Sequence, residues 1–150
     1  MAKEHRFQSD PNQISWRIHF RSPPKVVYEY LALSEQRKLY WAESAQEHDG
    51  VIHYQFLNGV EDHGRILERD PGRFFKVEYF GSDVSFELAP CKLNGCDMTV
   101  TCENVGEGER WEIVAGWVSW LLTMKAAVDF GIDLRNHDCE RTWNDGFADN

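Results

Sequence analysis

The alternation of apolar and polar residues predicts a series of antiparallel β-strands through the middle of the chain. The segment QISWRIHF alternates at the start, and the same two-residue period recurs between residues 50 and 104 in VIHYQFL, HGRILERD, RFFKVEYF, VSFEL and DMTVTCEN. Turn residues such as Asn-Gly and Asp-Pro-Gly separate these segments. One-sided alternation with short connections is typical of an antiparallel sheet with one wet face and one covered face.

The last two predicted strands disagree in register. A two-residue turn at Asn94-Gly95 would place Met98 on the same face as Ala89. The apolar residues of the preceding strand have the opposite parity: Val84, Phe86 and Leu88. We therefore expect a bulge or a longer loop near Pro90.

Helical patterns flank the strands. Prolines followed by KVVYEYL, and then SEQRKLYW, predict two short helices after the first strand. A long helix is predicted over residues 109–131, with a bulky stripe formed by Ile113, Trp117, Trp120, Leu121, Met124 and Val128. Further apolar residues widen the stripe past half of the circumference, which indicates burial against more than one layer. Its uncharged apolar run is about a dozen residues, short of the ~20 that cross a bilayer, so we expect no membrane span.

Length and charge limit the classes of function. The 150 residues indicate one domain over 1–150, with residues 1–11 and 144–150 as peripheral tails. A net charge of −9 argues against nucleic acid or anionic lipid as the main partner. The polar N-terminus lacks a signal-peptide pattern, and the four cysteines are then interpreted as reduced thiols, so we expect a cytoplasmic protein.

A single helix on a strongly curved sheet favours a ligand cavity between the two. The predicted lining comprises nine apolar residues: Trp16, Tyr54, Phe75, Tyr79, Phe86 and Met98 from strands, and Trp117, Leu121 and Met124 from the helix. The hydroxyls of the two tyrosines would need partners if buried, and a ligand or trapped water could supply them. The alternative is that the same side chains form an ordinary filled core.

Catalytic and cofactor motifs are weak. The EDHG segment places Glu61 and Asp62 beside His63, which could support proton transfer. We expect it in a connection between strands, where acidic residues are usually solvated. The sequence has no nucleophile elbow, phosphate loop or dinucleotide fingerprint, so we expect no cofactor.

Metal-binding patterns are equally weak, and we expect no metal site. His137, Asp138 and Cys139 could join His48 or His53, but the spacing matches no zinc motif. Cys91 and Cys96 flank a turn as a half-site without a second half. In the DLRNHDCERTW tail, opposite charges predict a network that anchors the chain end, with a dimer contact as the alternative. Trp143 is expected to pack on the rim of the sheet or on the short helices.

The order of elements is the helix-grip arrangement, and several segments resemble the SRPBCC superfamily, which includes the START and birch-pollen-allergen-like proteins. FRSPPKVVYEYL, LYWAESAQEHDGVIHYQF and GWVSWLLTMKAAVDFG are most similar to the branch named after the activator of the heat-shock protein 90 ATPase. The resemblance implies an α+β fold. A curved antiparallel sheet would carry two short helices, with one long C-terminal helix packed on its concave face.

The resemblance and the composition together favour a non-enzymatic domain that binds a small hydrophobic or amphipathic ligand. The alternative is a protein-interaction module related to heat-shock protein 90 co-chaperones, whose core is filled. A homodimer is a further possibility for the partner. A cyclase- or hydrolase-like enzyme is the third reading, since the superfamily contains such members.

Overall fold

The computed structural model describes residues 12–150 as an α+β fold. The helices and strands are, in order, β1 (Gln13–Phe20), α1 (Pro24–Ala32), α2 (Ser34–Arg37), β2 (Ser44–His48), β3 (Val51–Gln55), β4 (Glu61–Asp70), β5 (Phe74–Tyr79), β6 (Ser82–Pro90), β7 (Cys96–Glu103) and α3 (Arg110–Phe130). The predicted fold class is confirmed: a curved antiparallel sheet, two short helices and one long C-terminal helix. The predicted tail at 1–11 lies outside the described residues.

The sheet has the order β1-β7-β6-β5-β4-β3-β2, and every neighbouring pair is antiparallel. Strands β6 and β7 pair without a register shift, from Val84 opposite Cys102 to Pro90 opposite Cys96. Residues 91–95 between them form a loop with a 3-10 turn at Lys92–Asn94. The predicted longer loop near Pro90 is thus confirmed, and it lets the apolar residues of both strands share the core face.

A buried arginine ties the two short helices to the sheet. Arg37 is fully buried, and its Nε and Nη2 donate to the carbonyl of Ala45 in β2 at 3.0 and 2.9 Å. Its Nη1 donates to the carbonyl of Leu31 at 3.0 Å, and Nη2 also donates to Ser34 Oγ at 3.0 Å. Burial lowers the pKa of Arg37, but a guanidinium stays protonated in proteins. These bonds fix the chain just before Trp41, which enters the core.

The long helix α3 covers the core with one face only. Trp117, Leu121 and Met124 on its inner face are buried against the sheet. On its outer side Val118 is 40% exposed and Leu122 is 54% exposed. The predicted burial against more than one layer is therefore wrong for the outer side, since the sheet covers only the inner face.

By length and composition alone, α3 could cross a membrane. It has 21 residues, and an 18-residue window reaches a mean hydropathy of 1.3. A helix that covers a sheet in the core of a domain can have the same properties, and 28% of that window is buried in this fold. The inner face of α3 is therefore part of the domain core.

Polar contacts hold the chain after α3 against the domain. The Arg135 side chain is 6% exposed and pairs with Asp133 at 3.0 Å. Its Nη1 donates to the carbonyl of Ala42 at 2.9 Å, and its Nη2 donates to the carbonyl of Lys38 at 2.7 Å. The predicted charge network that anchors the chain end is confirmed by these contacts.

The final residues lie along α3. Trp143 packs near Gly116, where an added Cβ would lie 4.0 Å from its ring, and its Nε1 donates to Glu112 at 3.2 Å. Ser119 of α3 donates to the carbonyl of Ala148 at 2.6 Å. The prediction that Trp143 packs on the sheet rim or the short helices is wrong. The indole lies against α3 instead, held by its hydrogen bond to Glu112.

Candidate functional site

The nine side chains predicted to line a cavity lie together between the sheet and α3. Eight are buried, with exposed fractions between 0 and 7%: Trp16, Tyr54, Phe75, Phe86, Met98, Trp117, Leu121 and Met124. Tyr79 is half-buried. The Trp117 ring lies 5.8 Å from both the Trp16 ring and the Tyr79 ring. The predicted set is thus brought together, and its members pack directly on one another.

Six aromatic rings form a connected group, which we call the aromatic cluster: Trp41, Tyr54, Tyr79, Phe86, Trp117 and Trp120. The Trp41 ring lies 5.3 Å from Tyr54 and 5.0 Å from Trp120, and Trp117 lies 4.9 Å from Trp120. Several pairs are edge-to-face, the arrangement that ring quadrupoles favour. The aromatic cluster is therefore a close-packed apolar region that joins β3, β5 and β6 to α3.

Sequence reasoning missed Trp41 and Trp120 as members of this site. Trp41 follows α2 in a non-repeating segment, so no hydrophobic period pointed to it. Trp120 belongs to the predicted stripe of α3, three residues after Trp117, and that spacing places two helical side chains side by side. The spacing was the available signal for Trp120.

Four polar atoms in and beside the aromatic cluster are buried with no hydrogen-bond partner: Trp16 Nε1, Trp41 Nε1, Tyr54 Oη and Trp120 Nε1. Burial raises the pKa of Tyr54 well above its ordinary value, so the phenol is neutral and able to donate. Burial likewise raises the pKa of Tyr79; the nearby Trp41 N–H offsets part of that rise without reaching hydrogen-bond geometry. Buried polar groups in native proteins nearly always have partners. These four donors are therefore unpaired within the described fold.

Two surface depressions of the described chain lie outside the aromatic cluster. One, of about 440 Å³, is lined by Ser44, Gln46, His48, His53 and Gln55 on β2 and β3. The other, of about 370 Å³, is lined by Arg17, Ile18, His19 and Asp97. Neither lining contains any of the nine predicted residues, so neither depression is the predicted cavity. A ligand of the aromatic cluster has to enter by displacing its walls.

Solved structures share this arrangement of sheet and helices. The protein SSP2350 from Staphylococcus saprophyticus is 16% identical with a TM-score of 0.71, covering 82% of this chain and 96% of its own. An Aha1 dimer from Colwellia psychrerythraea is 20% identical with a TM-score of 0.70, and the match covers 79% of this chain and 97% of its own. The chain has the helix-grip fold. DynU16, described as a putative protein in the dynemicin biosynthetic locus, matches with a TM-score of 0.68 and 14% identity, covering 80% of this chain and 48% of its own.

These likenesses bear out the helix-grip fold that the order of elements predicted, and the SRPBCC superfamily stays an expectation from the sequence. No family model matches the chain, and no curated protein matches it. A helix-grip fold hosts several kinds of function, so the function has to be argued from the site. The narrower resemblance to the heat-shock protein 90 activator branch stays a prediction.

The EDHG segment is part of a strand in this helix-grip domain, and the prediction of a connection is wrong. Glu61 and His63 are exposed on β4. The Asp62 carboxylate accepts a hydrogen bond from the Phe80 backbone N–H at 2.8 Å, and the His63 ring lies 5.8 Å from the His53 ring. The three side chains do not converge on a common point, because Asp62 points to the opposite face of the sheet from Glu61 and His63.

His137 anchors the tail of the helix-grip domain. Its Nδ1 bonds Glu43 at 2.7 Å, and its Nε2 bonds Asp133 at 2.7 Å. Asp133 and then Glu43 raise the pKa of His137. Burial alone would raise the pKa of Asp133, but hydrogen bonds from Arg135 and His137 outweigh it and lower the value to about 2. Both nitrogens are therefore engaged in ion pairs, as expected of a structural contact.

Asp138, Cys139, His48 and His53 belong to no group of three metal-ligating side chains among the described residues. Asp138 pairs with Arg141, and Cys139 is exposed. His48 and His53 line the depression on β2 and β3. All four cysteines are free thiols; Cys96 and Cys102 are buried, Cys91 is half-buried and Cys139 is exposed. Burial raises the pKa of Cys96 to about 11, which leaves it a neutral part of the core.

Proposed function

We propose that this domain binds a small, neutral, apolar molecule that carries a hydrogen-bond acceptor, between the sheet and α3. The observation that carries the proposal is the set of buried donors without partners at the aromatic cluster: Trp16 Nε1, Trp41 Nε1, Tyr54 Oη and Trp120 Nε1. An indole nitrogen can only donate, and a neutral phenol can donate. The complement to this set is a molecule with a carbonyl or ether oxygen.

The energetics favour occupancy of the donors. A buried polar group without a partner costs about 1–3 kcal/mol, and a matched acceptor recovers much of that. The surrounding rings supply an apolar surface for the body of the ligand. The net charge of −9 disfavours an anionic ligand at long range. A flat aromatic ketone has the required properties.

We place the entrance where the aromatic cluster reaches the surface. Tyr79 and Trp120 are half-buried, and Phe80 beside them is 52% exposed. The Phe80 ring lies 4.8 Å from Tyr79 and 5.5 Å from Phe56. Rotation of these partly exposed rings opens a path to Tyr54 without unfolding the sheet. Rotamer changes of this kind are common at binding sites, while backbone shifts are usually small.

The test compares two probes that share one skeleton, 9-fluorenone with a carbonyl and fluorene without it. We expect saturable quenching of tryptophan fluorescence by 9-fluorenone, with a dissociation constant about tenfold lower than that of fluorene. Tyr54→Phe removes one donor and is expected to weaken 9-fluorenone binding by about fivefold, leaving fluorene unchanged.

Tyr28→Phe is the matched control, because Tyr28 is a core tyrosine that contacts Phe75 outside the aromatic cluster. It should leave both affinities unchanged. Equal affinity for 9-fluorenone and fluorene, or no saturable response to either, would contradict the proposed function.

A second candidate function is self-association through the outer side of α3. Val118 and Leu122 are exposed there, and a sizeable exposed apolar surface on a soluble domain is typical of an interaction site. The neighbour from Colwellia psychrerythraea is described as a dimer, which supports a second copy of this chain as the occupant. Two such faces would bury each other as an isologous contact.

Sedimentation velocity over a range of protein concentrations tests the self-association. We expect a concentration-dependent dimer, and Leu122→Lys should convert it to a monomer because it buries a charge at the contact. Leu67→Lys on β4 changes a leucine that is 40% exposed and should leave the dimer intact. A wild-type monomer at every concentration, or equal loss of the dimer in both variants, would contradict this candidate.

A further inference from the structure

Three side chains of metal-ligating type converge at the end of the sheet where β1 and β7 meet. His19 of β1 lies directly opposite Asp97 of β7 in the strand pairing. Cys91 in the loop before β7 reaches the same point. One ligand atom from each of the three lies within 4.8 Å of the others. The cluster combines nitrogen, sulfur and oxygen donors from three separate segments of the chain.

The distances distinguish ligands around a common centre from a catalytic relay. The Asp97 Oδ1 lies 2.8 Å from His19 Nδ1, and the Cys91 Sγ lies 3.7 Å from the same nitrogen. In a nucleophile–histidine–carboxylate relay, the nucleophile and the carboxylate contact different ring nitrogens. Here both partners contact the same nitrogen, so Asp97 does not orient His19 through one ring nitrogen while the other takes the proton of the thiol. This geometry does not support a hydrolase that uses Cys91 as its nucleophile.

The same distances suit a tetrahedral ion. Zinc bonds of about 2.0–2.3 Å at tetrahedral angles place neighbouring ligand atoms about 3.3–3.6 Å apart. The sulfur–nitrogen distance of 3.7 Å is close to that value. The oxygen–nitrogen distance of 2.8 Å has to lengthen by about half an ångström, which a small rotation of the Asp97 carboxylate supplies.

The loop is shaped so that Cys91 and His19 can approach. A Cβ added at Gly95 would lie 3.0 Å from Cys91 Sγ, 3.1 Å from His19 Cε1 and 2.9 Å from the Phe20 carbonyl oxygen. Only glycine therefore leaves room for the thiol and the imidazole side by side. The Cys91 backbone N–H also donates to the Gly95 carbonyl at 3.0 Å, which closes the loop over the pair.

The geometry points to a metal site in which His19, Cys91 and Asp97 bind one zinc ion and leave the fourth position to water. Thiolate and imidazole ligands select zinc and similar transition metals over magnesium and calcium. The thiolate and the carboxylate would neutralise the charge of a divalent ion. The side chains of His19 and Asp97 are 54% and 39% exposed, so an ion can reach the site from solvent.

The test titrates chelator-treated protein with Co²⁺, a spectroscopic substitute for zinc. A thiolate ligand gives a sulfur-to-cobalt charge-transfer absorption, and we expect it to saturate at one Co²⁺ per chain and to be removed by added zinc. Cys91→Ser should abolish the charge-transfer absorption. His19→Gln and Asp97→Asn should retain it but weaken Co²⁺ binding by about tenfold or more.

Cys139→Ser is the matched control, because Cys139 is an exposed free thiol. It should leave the charge-transfer absorption and the affinity unchanged. The far-ultraviolet circular dichroism of each variant should equal that of the wild type. Retention of the absorption in Cys91→Ser, or its loss in Cys139→Ser, would overturn the proposal. So would visible cobalt absorption with no charge-transfer component, since that places the ion on histidines such as His53 and His63.

Discussion

Arg37→Met is expected to lower the free energy of unfolding by about 3–5 kcal/mol, a large share of the ~5–15 kcal/mol of a typical domain. The change keeps an apolar stem but removes four hydrogen bonds from a fully buried guanidinium. The carbonyls of Ala45 and Leu31 would then be buried without donors, and each unpaired group carries a penalty. Urea denaturation followed by circular dichroism measures the loss.

Two further variants isolate the cause. Arg37→Lys keeps the positive charge but not the planar fork, so it should recover only a small part of the lost stability. Arg65→Met removes an ion pair with Glu78 in which the arginine side chain is 71% exposed. Solvent screens an exposed pair of this kind, so Arg65→Met should change stability far less than Arg37→Met. If Arg37→Met cost no more than Arg65→Met, the hydrogen bonds of the buried Arg37 would not stabilise the domain as described.

Trp117→Ala is expected to cost about 3–5 kcal/mol, as large-to-small changes of aromatic core residues do. The Trp117 ring is 7% exposed and contacts Trp16, Tyr79, Phe86 and Trp120. Its removal opens a space at the middle of the aromatic cluster and loses contacts on every side. The midpoint temperature of thermal unfolding and the midpoint urea concentration should both fall substantially.

Trp111→Ala provides the comparison within the same helix. Trp111 is 88% exposed, so its removal should change stability by less than about 0.5 kcal/mol. The difference between the two tryptophan variants measures the burial of the inner face of α3. Equal costs would mean that α3 does not pack on the sheet through Trp117.

The architecture could be predicted from the sequence because the backbone geometry of strands and helices imposes a fixed spacing on the apolar residues. Side chains alternate between the two faces along a strand, so the spacing of Val84, Phe86 and Leu88 alone places them together on the core face of β6. A two-residue turn would have placed Met98 on the opposite face from Leu88, and this conflict predicted the longer loop after β6. The apolar outer side of α3 misled the prediction, since composition gives no information on whether a second layer covers Leu122.

The site was predictable only in part. The alternating strands and the helical stripe located all nine predicted residues in one region. Trp41 lies in a segment without a period, and the missing hydrogen-bond partner of Tyr54 depends on packing in three dimensions. His19 and Asp97 are separated by 78 positions and meet only through the pairing of β1 with β7. The spacing of these residues in the sequence does not predict which residues of β1 and β7 lie opposite each other.

The most direct test of the proposed binding site observes its donors themselves. Each of the six tryptophans gives one indole N–H signal in a ¹H–¹⁵N correlation spectrum, and a donor that gains an acceptor shifts downfield. With 9-fluorenone we expect the Trp41 and Trp120 signals to move downfield, while Trp111, which is 88% exposed, stays in place. Fluorene should produce no such downfield shift. If the signals of Trp41 and Trp120 stayed fixed at saturating 9-fluorenone, or only that of Trp111 moved, the proposed site would be contradicted.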